Sequence, residues 1–254
     1  MKNATVGYAG LQFSFAEMQR EIENLRLLAE PFLEVASFER VLPAWIDQLA
    51  HAKNQHGNVR RRWEISATDP IKTILSDGRY EPKGRAGNLR VYGAVSGVWE
   101  IEVQRPGKKK PPQTFLLNGM ATTQIRLWKQ SDEGEEEVAR WTVEVGCGDS
   151  PGCHFHTQIT LDDADRKFPK GLSVPRLPTF IHTPMDALDF VLGEIFQEEW
   201  FQECSKGRDP VKLWTRCQRN RFTQLFRWHL ETSETASFSP WLTLKRSKPT
   251  GLFV

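Results

Sequence analysis

Residues 98–130, VWEIEVQRPGKKKPPQTFLLNGMATTQIRLWKQ, decide the fold. Successive side chains of an extended chain point to opposite faces. In 98–104 that places Trp99, Ile101 and Val103 on one face and Val98, Glu100 and Glu102 on the other. In the run from 122 to 130, Ile125 and Leu127 share a face while Arg126 and Trp128 take the other. Between them QTFLLNG (113–119) reads as another short strand, and the link that joins it to 98–104, RPGKKKPP, is too polar to pack against a core. Parallel strands need long crossovers, so a link this short predicts antiparallel neighbours.

The same texture continues on both sides. LRVYGAVSG (89–97), EVARWTVEVG (137–146) and CHFHTQITL (153–161) read as further short strands, and SDEGEEE (131–137) reads as another hairpin link. VRRRWEISA (59–67) has the β-branched and aromatic content of an earlier strand. Asp77-Gly78, Pro82, Gly84 and Gly87 mark a loop. No repeat of 20 to 50 residues is visible, which argues against a propeller or solenoid. The reading is a central antiparallel meander.

Helical periods flank it. Ser14 and Glu17 have capping-box spacing, and Phe15, Met18, Ile22, Leu25 and Leu28 recur at helical intervals until Pro31. A second helix is predicted from about 38 to 53 on Val41, Leu42, Trp45, Ile46 and Leu49. After a proline-rich connector, Thr183-Pro184 with Asp186 opens a third helix striped by Leu188, Val191, Leu192, Ile195 and Phe196. Asp209-Pro210 opens a fourth by the same device, with Trp214, Cys217, Leu225 and Trp228 on its buried side. The expected architecture is α+β, a meander sheet between N-terminal and C-terminal helical pairs. One integrated domain is expected over 1–254, divided into helices (1–57), sheet (58–165), and connector with helical pair (166–254).

Composition narrows the function only coarsely. The formal net charge is +2, so an electrostatic partner must be sought in local patches. No apolar run has the length of a membrane span, and four cysteines in so long a chain do not suggest a disulfide framework. The expected setting is cytoplasmic, with reduced thiols and no membrane partner.

The densest metal-type chemistry is GCGDSPGCHFH, where Cys147, Cys153, His154 and His156 lie close together. Soft sulfur and imidazole ligands at short spacing could hold zinc. In a strand, however, His154 and His156 share a face that Cys153 does not, and no Cys-x-x-Cys pair is present. A hairpin with buried cysteines and histidines on a polar sheet face explains the window without metal. A nucleophilic pair of Cys147 or Cys153 with His182 or His229 would need them to meet in space. Asp77, Glu100 and Glu102 suggest a carboxylate cluster only superficially, and a solvated strand face explains the two glutamates better. Arg79, Lys83 and Arg85 on a glycine-rich loop match no phosphate-binding pattern.

The strongest contrast is electrostatic. Residues 183–203 carry six acids and no base, a charge of −6, whereas 204–230 carry seven bases and one acid, +6. Either the two helices pair through complementary faces, or the basic helix leaves a cationic surface for phosphates. The second alternative selects Lys212, Arg216, Arg219, Arg221 and Arg227. Trp214 or Trp228 would then supply stacking, with Arg60, Arg61, Arg62 and Lys108–Lys110 extending the patch. The functional expectation is a non-catalytic binding or accessory protein, with nucleic acid or another protein as partner and no cofactor. A metal-dependent enzyme or zinc-stabilised domain on the Cys/His window is the competing reading.

Overall fold

A computed structural model describes residues 11–54, 60–76, 90–104, 114–145, 155–159, 177–181, 183–246 and 251–252. The architecture is α+β. Strand β1 (Leu11–Ser14) runs directly into α1 (Phe15–Ala29), where the Ser14 hydroxyl accepts a hydrogen bond from the Glu17 amide at 3.4 Å. Pro31 falls in a 3₁₀ turn, Glu30–Phe32, that closes the helix. The second helix is entered through a π-helical turn, Ser37–Val41, before α2 (Leu42–Asn54). Pro43 near its start has no amide to give to the preceding turn.

The sheet follows: β2 (Arg60–Ile65), β3 (Ile71–Lys72), β4 (Val91–Gln104), β5 (Thr114–Ser131), β6 (Gly134–Val145), β7 (Phe155–Ile159) and β8 (Leu177–Pro178). Its main path is β2-β4-β5-β6-β7-β8, every step antiparallel. Strand β1 adds to β5, and β3 adds to β4 beyond β2. The C-terminal β9 (Gly251–Leu252) pairs with β1 in parallel, the one exception to the antiparallel rule among the described strands.

The expected short strands merge into two long ones. Residues 91–104 form one strand through Gly97, where a side chain would place Cβ 2.8 Å from the Thr122 carbonyl oxygen. Residues 114–131 likewise form one strand through Asn118-Gly119. That step is a bulge instead of a turn: Trp99 pairs with Ala121 and Ile101 with Leu117, so β5 places three residues against one of β4. Strand β5 can thus give its first half to β1 and its second half to β6. A tight turn at Gly134, with φ of 127°, joins β5 to β6.

Helices α3 (Pro184–Ser205) and α4 (Asp209–Glu234) complete the layer against the sheet, followed by a short α5 (Pro240–Arg246). Thr183 caps α3 as expected, and Asp186 returns the bond by accepting from the Thr183 amide. Asp209 does not cap α4: Arg208 holds the capping position without a side-chain bond, and Asp209 is already helical. Helix α3 kinks at Gln197, whose φ is 36°. It lies on β4, and α4 packs chiefly against α1.

Odd-numbered residues of β4 face the helices. Trp99 meets Trp63 edge-on at 5.5 Å, and Trp63 stacks on Trp45 of α2 at 4.3 Å. Phe13, Phe15 and Phe115 extend the same aromatic cluster. Gly93 marks the closest approach of α3, since an added Cβ would lie 2.3 Å from Val191 Cγ1. Gly93→Ala should therefore push helix from sheet and cost about 1–3 kcal/mol. The check is a lowered urea midpoint at unchanged slope; an unaltered midpoint would contradict this packing.

Candidate nucleic-acid interface

Helix α4 divides its residues by angle. At 3.6 residues per turn, Trp214, Cys217, Arg221, Leu225 and Trp228 fall on one stripe, and Lys212, Arg216, Arg219, Thr223, Phe226, Arg227 and Leu230 on the opposite one. The first stripe packs inward: Trp214 is 2% exposed and Leu225 fully buried, while Trp228 sets its ring edge-on to Phe155 of β7 at 5.7 Å. All seven residues of the second are exposed. Between Lys212 and Arg227 it runs about 22 Å at 1.5 Å per residue.

Arg221 belongs to the inward stripe and is 1% exposed. Its Nε donates to Asp186 Oδ2 at 3.0 Å, Nη2 bonds Asp186 Oδ1, and Nη1 lies 2.5 Å from Glu21 Oε1. One guanidinium thus ties α1, α3 and α4 together. Burial opposes its charge, but Asp186 and Glu21 more than compensate and hold it protonated. Two carboxylates share one cation, and burial pushes Glu21 up from the ordinary 4.5 to about 7, partly offset by Arg221.

This geometry corrects part of the sequence reading. Trp214 and Arg221 are not at the surface: the former fills the core and the latter neutralises buried acids. Helical spacing could have revealed Arg221, which stands four residues from Cys217 and from Leu225 and seven from Trp214 and Trp228. Lys206 and Arg208, though exposed, both pair with the buried carboxylate of Glu203. The complementary-charge explanation therefore accounts for Lys206, Arg208 and Arg221.

It does not account for the outer stripe. Arg216, Arg219 and Arg227 are exposed and make no ion pair with a described residue. Lys212 has only Asp209, 3.7 Å away and itself exposed, a pairing worth about 0–1 kcal/mol. Arg60, Arg61 and Arg62 do not continue this surface. They lie on β2, separated by β4, β5 and β6 from the β7 strand that α4 touches. Arg60 and Arg62 sit across from Glu102 and Glu100, which explains those glutamates as a paired strand face. Lys108–Lys110 lie outside the described residues.

The aromatic groups beside the cations are ones the sequence reading missed. Phe226 is 49% exposed and Phe180, just before α3, is 50% exposed, and their ring centroids are 4.8 Å apart. Phe180 is also 6.1 Å from the ring of His229, and Phe222 is 6.3 Å from Phe226. The helical period of α4 marks Phe226 as outward, but nothing local marks Phe180.

Of the Cys/His window, Cys147, Cys153 and His154 lie outside the described residues, as do His182 and the loop cations Arg79, Lys83 and Arg85. His156 is fully buried on β7, with Nε2 2.9 Å from Glu144 Oε2 and 3.3 Å from Gln158 Nε2. Gln158 also donates to that carboxylate at 2.6 Å. Glu144 lines a shallow cavity of about 590 Å³ with Arg62, Ser96, Glu100, Thr122 and Gln124. Among the described residues no three His, Cys, Asp or Glu side chains are placed to hold a metal ion. Cys204 and Cys217 are half-buried thiols, and burial pushes Cys204 up to about 12 and raises Cys217. Such thiols are weak nucleophiles near neutrality. No helix among the described residues is long and apolar enough to cross a membrane.

Comparison with known families, characterised proteins and solved structures gives no match.

Proposed function

We propose that this chain is a non-catalytic binding protein that holds nucleic acid along the outer face of α4. One observation carries the reading: Lys212, Arg216, Arg219 and Arg227 share an exposed stripe, while Asp186, Asp189 and Glu203 of the preceding helix are bonded to other groups. Repeated exposed cations, three of them in no ion pair with a described residue, suit repeated phosphates, because neutralising each phosphate releases condensed counterions and makes affinity salt-dependent.

Four such contacts set the expected salt response. Plotted as log affinity against log salt concentration, the slope should be about −3 to −3.6. Arg216→Glu with Arg219→Glu should flatten it by about two units and weaken binding at every sequence tested. Both side chains are exposed and unpaired, so the folded state should change by no more than about 0.5 kcal/mol. Fluorescence polarisation across a salt series reads the slope. A wild-type protein that binds no nucleic acid at low salt rules the reading out.

A further inference from the structure

We infer that the nucleic acid taken by this surface is single-stranded, with bases stacking on the Phe180–Phe226 pair while the strand's phosphates follow Arg219, Arg216 and Lys212 down α4. The inference rests on the proposed function and adds the class of strand. Phe226 lies seven residues beyond Arg219, on the same stripe and about 10 Å further along the axis. Arg227 adjoins it in sequence, and Leu230, 58% exposed, continues the apolar end of the stripe. The surface is thus cationic over its first half and aromatic at its second.

The two rings are half exposed although each already has a ring neighbour. Phe180 and Phe226 are tilted by 45° and close enough to brace one another, so a base laid against them meets a positioned platform. Ordering such a platform in advance reduces what binding must spend on side-chain entropy. A duplex keeps its base faces inside the stack and offers the rings nothing. An unpaired strand offers both a planar apolar face and a regularly spaced negative charge, the two features this surface complements. Trp228, the other aromatic candidate, is committed to Phe155 and to the His229 ring at 4.8 Å.

The test is titration of the full chain with fluorescent oligothymidine and with a duplex of equal length. Wild type should prefer the single strand. Phe226→Ala with Phe180→Ala should weaken single-strand binding about 5- to 100-fold for each base that stacks, with the salt slope and the duplex affinity unchanged. Phe226→Trp should retain or strengthen binding, which separates stacking from a loss of folding. Equal affinity for single strand and duplex, together with no effect of the double alanine variant, overturns this inference and leaves nucleic-acid binding standing. Absence of any binding by wild type at low salt defeats the underlying reading instead. Displacement of oligothymidine by an acidic, aromatic peptide at lower concentration than by unlabelled oligothymidine assigns the surface to a protein partner and also overturns the inference.

Discussion

Replacing Arg221 with alanine is expected to remove about 3–5 kcal/mol of folding stability, because it leaves Glu21 and Asp186 buried beside one another without a cation. Small domains are stable by roughly 5–15 kcal/mol in total, so this loss brings the chain close to unfolding. The damage should not be confined to one contact. Asp186 Oδ2 also accepts the Thr183 amide at 3.2 Å, so disturbing it loosens the start of α3 as well. Urea unfolding followed by far-ultraviolet circular dichroism measures the effect. A loss below about 1 kcal/mol would mean that the carboxylates are solvated and the buried network is misplaced.

The same network gives stability a pH dependence of definite sign. Burial raises Glu21 from 4.5 to about 7 in the folded chain, so the folded state keeps a proton that the unfolded state has released. Its contribution is fully present below pH 4.5 and is lost as pH rises toward 7. Glu21→Gln, which stays neutral throughout, should remove this fall. The dependence belongs to the fold: Arg216 and Arg219, at the surface, lie outside the network.

The second large effect is expected at Trp63. Its ring is stacked on Trp45 with an interplanar angle of 4°, meets Trp99 at 89°, and its indole Nε1 donates to the Trp45 carbonyl at 3.0 Å. Trp63→Ala opens a cavity between α2 and the sheet and should cost about 3–5 kcal/mol. Trp63→Phe keeps part of the stack but removes the indole donor to the Trp45 carbonyl, which keeps its helical amide partner, and should cost less, about 1–3 kcal/mol. Near-ultraviolet circular dichroism should lose the signature of the stacked indoles in both variants. An alanine variant as stable as wild type would remove Trp63 from the core.

These two positions were not equally legible. Trp63 falls in a segment whose β-branched and aromatic content marks a strand, although Arg61 shares its face and the alternation there is imperfect. Arg221 groups by composition with the other cations of its helix, but its spacing from Trp214, Cys217, Leu225 and Trp228 places it on the apolar stripe. Charge composition is a property along the helix, whereas burial is decided around it. Trp214 lies on the buried stripe by the same spacing, which excludes it as a stacking group, and Phe226 lies on the outer one.

What the chain's local pattern determined by itself was the kind and order of its elements: the Ser14 and Thr183 caps, the helical stripes and the alternating strands joined antiparallel. These are set by neighbours two to four residues apart, through side-chain direction and backbone hydrogen bonding, and survive without knowledge of the fold. Tertiary structure alone decided that β4 and β5 run unbroken, that β9 returns to β1, that Asp186 meets Arg221 across 35 residues, and that Phe180 comes to Phe226. Each depends on close approach between distant segments, where packing and the cost of burying charge select one partner among many that the sequence permits.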